Sequence, residues 1–173
     1  MKLPALAGFL ALVPAIAGAE VKSAAPDAML IELRYTIAAP AAKVWETLEH
    51  PERWWPSDHT WSGRRENLSL EATAGGCFCE RWDGGSVEHG HVTMAMPGKL
   101  LRLDAALGPL QEMAISGVIT VALEEKDGTT TMVVTHRVSG DPSHKLDQIA
   151  PIVDKVNGQQ FGALAAEAAR TSP

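Results

Sequence analysis

Cysteine is scarce in this chain: Cys77 and Cys79 are the only two among 173 residues. Two cysteines cannot build the multi-bridge framework of a small disulfide scaffold, so a hydrophobic core must hold the fold. At 46% hydrophobic residues the chain can bury one sizeable core and is not disordered. After residue 19 no segment is long and apolar enough to span a bilayer. Lys and Arg number 15 against 21 acidic residues, they are scattered, and Arg64-Arg65 is their only doublet. That excludes a phosphate-binding stripe and argues against a nucleic-acid partner. Gly75-Gly76 and Gly84-Gly85 have the wrong spacing for a phosphate loop. Ser57, Ser62 and Ser116 lack the context of a nucleophile elbow. No internal repeat and no low-complexity tract is present.

What the chain does have begins at its start. Met1-Lys2 is a short positive segment, Ala5 to Ile16 is apolar, and Ala17-Gly18-Ala19 is a small-x-small site. This three-part pattern predicts a signal peptide over residues 1–19, cleaved before Glu20, and hence a periplasmic or secreted protein. Removing it takes away Lys2 and no carboxylate, so the formal charge moves from -6 to -7. Residues 20–28 read as a polar linker and residues 29–170 as one domain. No stable membrane span remains after cleavage.

From Met29 to Ile37 apolar and polar residues alternate, which predicts a half-buried strand. Pro40 suits the first turn of a helix running to about Leu48, and Pro51 opens a second short helix that ends at Trp54-Trp55-Pro56. Period-two segments follow at Leu68–Ala72, Cys77–Trp82, Val87–Met96, Leu100–Ala106, Met113–Glu124 and Thr129–Val138. Turn residues separate them, and Asp127-Gly128 is the clearest hairpin signal. From Ser143 the apolar residues recur at helical spacing through Leu146, Ile149, Val153, Val156, Gln160 and Leu164. Pro151 is expected to kink or restart that helix. The class is α+β: a seven-stranded antiparallel sheet, two short helices after strand 1, and one long C-terminal helix.

That order is the helix-grip order. Ile37-Ala-Ala-Pro-Ala-Ala-Lys-Val-Trp45, Glu52-Arg-Trp-Trp55, Gly75-Gly-Cys-Phe-Cys-Glu80, Pro97-Gly-Lys-Leu-Leu101 and Gly128-Thr129 follow one another in sequence. Together they resemble the START-like superfamily, also called SRPBCC or polyketide-cyclase-like, and most nearly its heat-shock-protein ATPase-activator-like branch. The resemblance implies a curved sheet gripping the long helix, with a hydrophobic cavity between them that binds a small apolar or amphipathic molecule. A minority of members are cyclases or dehydratases. No catalytic motif is shared across the superfamily, so no catalytic residue is carried over and no cofactor is implied. A leader departs from the mostly cytoplasmic habit of that branch.

Candidate ligand-binding residues are Trp54, Trp55, Trp61, Phe78, Glu80, Trp82, Met94, His136 and Gln160. The tryptophans suit an apolar pocket mouth. Glu80, between inward Phe78 and Trp82, and His136, on the Met132–Val134–Val138 face, would be its polar groups. A cyclase or dehydratase reading pairs Glu80 with His136 as acid and base. A further alternative is a metal or redox site at Cys77, Cys79, His89 and His91. A two-residue loop at Gly84-Gly85 would put the cysteines and histidines on opposite faces; a three-residue loop at Asp83-Gly84-Gly85 would unite them on the outer one. Inward Phe78, Trp82, Val92, Met94 and Met96 favour the longer loop. The resulting quartet is flat, whereas zinc prefers a tetrahedron, so no metal is assigned. A Cys77–Cys79 bridge would span positions near the upper limit of bridgeable separation, and the thiols read as free or intermolecularly oxidised.

Overall fold

The computed structural model describes residues 16–170; most of the leader expected over residues 1–19 lies outside them. Eight strands form one curved antiparallel sheet: β1 Ile16–Ala25, β2 Ala28–Ile37, β3 Leu68–Leu70, β4 Cys77–Trp82, β5 Gly85–Met96, β6 Leu100–Asp104, β7 Ser116–Lys126 and β8 Thr129–Ser139. Their spatial order is β1-β2-β8-β7-β6-β5-β4-β3. Helices α1 Ala41–Leu48 and α2 Pro51–Trp54 follow β2, and α3 Leu146–Ala168 closes the chain.

The expected seven strands become eight because the presumed linker at residues 20–28 is mostly strand. It pairs along β2, with Val21 opposite Ile31 and Ala25 opposite Ala28. Two register shifts interrupt β1, so its side chains lose the strict alternation that would mark a strand. Its pairing instead satisfies the backbone groups that an uncovered β2 would leave open.

The inner face is built by alternation. Met29, Ile31, Leu33, Tyr35 and Ile37 of β2 are buried, as are Met132, Val134, His136 and Val138 of β8. Ile119, Val121 and Leu123 of β7 continue the layer. Helix α3 covers it with Leu146, Ala150, Phe161, Leu164 and Ala168, and Tyr35 donates its hydroxyl to the Gly158 carbonyl at 3.3 Å. Pro151 neither ends nor restarts α3: it is exposed near the first turns, where the carbonyl freed at Asp147 faces water. The Ala41 N–H donates to Glu125 of β7 at 2.8 Å, and the Thr130 hydroxyl donates to the Ala39 carbonyl at 2.7 Å, fixing the start of α1 against the β7–β8 hairpin. That hairpin turns at Asp127-Gly128, both with positive φ, as the dipeptide predicts.

Two bulges in β5 decide which side chains enter the core. Opposite the Phe78–Cys79 step an extra residue, His89, is inserted; between Val92 and Met94 the extra residue is Thr93. The second bulge reverses the expected facing of the strand end. Met94 and Met96, expected inside, are 39% and 41% exposed, while Ala95 packs towards the core. Between the bulges β5 and β6 approach closely, since a Cβ on Gly90 would lie 2.6 Å from both the Ala105 Cβ and the Asp104 carbonyl oxygen. Gly90→Ala is therefore expected to lower stability by about 1–3 kcal/mol, the usual cost of overpacking, read from chemical denaturation midpoints.

Candidate functional site

Between the sheet and helices α2 and α3 lies a cavity of about 20 Å³. Its walls are apolar and include Trp54, Trp55, Phe78, Leu103, Ile119 and Phe161. The aromatic rings form a chain: Trp54 to Trp55 at 5.3 Å, Trp55 to Phe78 at 5.2 Å, and Trp54 to Phe161 at 6.5 Å between centroids. Each indole N–H is already used within the chain, by the Thr47 carbonyl for Trp54 and the His59 carbonyl for Trp55. The volume holds about one water, and the apolar walls would leave even that water without partners. A ligand-sized hydrophobic cavity, as the resemblance implies, is not open here; pockets for such ligands measure roughly 300–1,000 Å³.

Behind Phe78 sits a buried carboxylate. Glu80 accepts from the Trp61 N–H at 3.1 Å, the Ser62 N–H at 2.6 Å and His89 Nε2 at 3.0 Å. Burial pushes its pKa up, but the donors of Ser62, Trp61 and His89 outweigh this and the net displacement is downward. Glu80 is thus an ionised anchor for the loop that follows α2. Burial holds His89 below the usual imidazole range against the opposing pull of Glu80, which fits a neutral ring donating its Nε2 proton. The ring also packs on Phe78, 5.0 Å between centroids.

The four-ligand quartet does not form. The hairpin turn is Asp83-Gly84, with Trp82 opposite Gly85, which is neither loop considered from the sequence. With this turn His89 is in phase with Val87, the partner of Glu80, and faces inwards to Glu80; the bulge then restores the Cys77–His91 pairing. His91 stays outside, 3.1 Å from Glu88. Cys77 and Cys79 are joined in a disulfide, contrary to the expectation of free or intermolecularly oxidised thiols. Their Cα atoms are 5.4 Å apart, inside the bridgeable range. Among the described residues no cluster of three or more His, Cys, Asp or Glu could hold a metal ion.

Glu80 and His136 do not meet either. They stand on β4 and β8, four strands apart, and each has its own partners. His136 is fully buried, and its Nδ1 accepts from Asn157 Nδ2 of α3 at 2.9 Å. The proton therefore sits on Nε2, which faces the Ala105 backbone without a hydrogen bond of adequate geometry. Burial drives the His136 pKa down to about 4, with the Ala105 backbone and Asn157 pulling weakly upwards. The proposed acid–base pair is thus replaced by two separate polar sites.

Of the other expected ligand-binding residues, Trp54, Trp55 and Phe78 line the cavity, but Trp61 is 57% exposed. Trp82 is half-buried and stacks over Gly85, away from the cavity, and Met94 is turned out by the second bulge. Gln160 is buried beside Phe161 with Oε1 unpartnered. Sequence reasoning missed Phe161 and Asn157, although Asn157 falls on the helical stripe between Val153 and Gln160. Asp154 of α3 has a buried Oδ1 without a partner, and its pKa is raised by burial and then by Glu20. The inward turn of His89 had no signal in the pattern.

A helix gripped by a curved antiparallel sheet, with an apolar gap beneath it, defines the START-like, or SRPBCC, class. Residues 38–168 match the profile of the Activator of Hsp90 ATPase homolog 1-like protein family, and the chain belongs to that family. None of the curated proteins matches it significantly. Solved structures share its fold at low identity. A protein from Mesorhizobium loti is 19% identical, with 83% of this chain and 99% of that one covered and a TM-score of 0.58. A putative uncharacterized protein from Rhizobium leguminosarum is 21% identical, covering 89% and 98%, with a TM-score of 0.59. The di-domain ARO/CYC StfQ from the steffimycin biosynthetic pathway is 12% identical, covering 83% of this chain and 51% of that one, with a TM-score of 0.59.

Two outcomes are expected from these sites. Glu80→Ala leaves the Trp61 and Ser62 N–H groups and His89 without their acceptor. It should cost on the order of 3 kcal/mol and remove hydrogen-exchange protection at amides 61 and 62 while sparing α3. His136 stays neutral in the fold down to about pH 4 but protonates near 6.5 in the unfolded chain. Its contribution is therefore complete above 6.5 and lost as pH falls towards 4. Against His136→Gln, the wild type should lose about 3 kcal/mol more across that window, read from guanidinium midpoints at successive pH values.

Proposed function

We propose that this domain binds a small apolar or amphipathic molecule between the sheet and helices α2 and α3, in a space that opens from the cavity beside Phe161. The observation that carries the reading is an interior gap walled only by apolar side chains, with unpartnered buried polar atoms on two residues that adjoin wall residues in register or in sequence. His136 lies opposite Ile119 of the cavity wall in the β7–β8 register, and Gln160 precedes Phe161. Nε2 of His136 offers a proton and Oε1 of Gln160 accepts one. An apolar body with one polar end would fit such a margin. Entry requires the aromatic chain Trp54–Trp55–Phe78–Phe161 to repack or α3 to shift, since the space shown is about 20 Å³.

Export to the periplasm or beyond is part of this proposal. The three-part leader pattern supports it, and so does the Cys77–Cys79 disulfide, because such bonds persist in oxidising compartments. Among the described residues no helix is long and apolar enough to cross a membrane. Acid–base catalysis by Glu80 with His136 is not proposed, since both are committed elsewhere.

Native mass spectrometry of gently purified protein is expected to show a bound small molecule. Titration with a fluorescent fatty acid should show Phe161→Ala binding about tenfold more tightly than wild type, because truncation removes the cost of opening the cavity. Bare protein by mass spectrometry, together with no fluorescent fatty-acid binding by either form, would overturn the reading.

A further inference from the structure

The Cys77–Cys79 disulfide crosses a single residue, Phe78, within one strand. As a structural staple it achieves little. It joins no two elements, and closing a three-residue loop removes far less unfolded-chain entropy than closing a long one. The domain already has an eight-stranded sheet and a continuous core of buried side chains. The two sulfurs also differ in access: Cys79 is 6% exposed, whereas Cys77 is half-buried. His91 is the cross-strand partner of Cys77, so the two share the outer face, and its ring is 48% exposed. An imidazole beside a thiol favours the reactive thiolate. The outer face thus carries one accessible sulfur, one shielded sulfur and a neighbouring imidazole, all on the opposite side of β4 from the cavity wall at Phe78.

We propose that this bridge is a transferable disulfide and that the domain oxidises dithiols by thiol–disulfide exchange. A thiolate of the dithiol attacks the sulfur of Cys77. The Cys77–Cys79 bond breaks, and Cys79 leaves as a thiolate that takes up the proton lost by the attacking thiol. The second thiol of the substrate then attacks its own sulfur in the mixed disulfide. Cys77 leaves and is protonated, and the substrate departs as a disulfide. Two substrate thiols are oxidised and one protein disulfide is reduced. The same exchange in reverse, with a low-molecular-weight disulfide as the oxidant, restores the bridge.

The test is a redox titration of the full chain, purified oxidised, in mixtures of reduced and oxidised glutathione, with alkylation and mass spectrometry reporting its thiols. The bridge is expected to interconvert reversibly within that range. In oxidised glutathione, Cys79→Ser should collect a mixed disulfide on Cys77 about tenfold faster than Cys77→Ser collects one on Cys79, following access. A bond that stays closed even in pure reduced glutathione overturns the proposal, and this arm needs no variant to fold. Equal trapping by the two variants, each with unchanged circular dichroism, also overturns it.

Discussion

An extra residue in β5, His89, governs the arrangement of the hairpin around it. Its side chain is in phase with Val87, the cross-strand partner of inward Glu80, and so points to the core. It reaches Glu80 at 3.0 Å, and the bulge that follows keeps Gly90 on the inner face and sends His91 outwards. That contact helps keep a carboxylate ionised where no water reaches it, and the carboxylate in turn holds the loop at Trp61 and Ser62. The same ring backs Phe78, whose other side forms the cavity wall. On the facing strand β4 the Cα atoms of Cys77 and Cys79 lie 5.4 Å apart, within bridging distance. Loop anchor, cavity wall and disulfide therefore lie side by side at one local irregularity of the sheet.

The interior beyond that hairpin combines close packing with a few unsettled polar groups. Buried polar atoms in folded proteins nearly always have partners, so those without them mark places where something else is accommodated. Besides His59 Nδ1 after α2, they are Gln160 Oε1 and Asp154 Oδ1 on α3 and His136 Nε2 on β8, the residue bonded to Asn157 of α3. Tyr35, tied to the helix through Gly158, belongs to the same layer; burial and then Asp154 push its pKa up to about 12. The helix is thus held to the sheet chiefly by apolar contact, and none of these polar groups is among the side chains that wall the small cavity.

Family membership accounts for the fold and leaves the chemistry to individual residues. The structural relatives are at most 21% identical among those described above, which makes them evidence of shape alone. Strand alternation keeps the two candidate activities of this chain apart. Phe78 faces the cavity, while the cysteines on either side of it face outwards. A ligand in the interior and an exchange reaction on the surface would use the same three residues without competing for space.

Much of the fold was legible in the sequence because it rests on local physics. Alternation marked β2 and the long antiparallel strands, Asp127-Gly128 marked a turn needing positive φ, and helical spacing marked α3. β1 was not legible, since its pairing with β2 carries two register shifts that break strict alternation. The site was legible only in part. Trp54, Trp55 and Phe78 were recognisable as large apolar groups beside a sheet, and the inward facing of Glu80 and His136 followed from their neighbours. Their partners were not legible: His89, Asn157 and the loop amides come from distant positions or from a bulge. The sequence by itself determined which segments could be strand or helix and which faces were apolar. The tertiary structure alone decided where β5 takes an extra residue, because the bulge depends on contacts across three strands. That one-residue choice left His91 outside, opposite Cys77, while His89 stayed inside against Glu80.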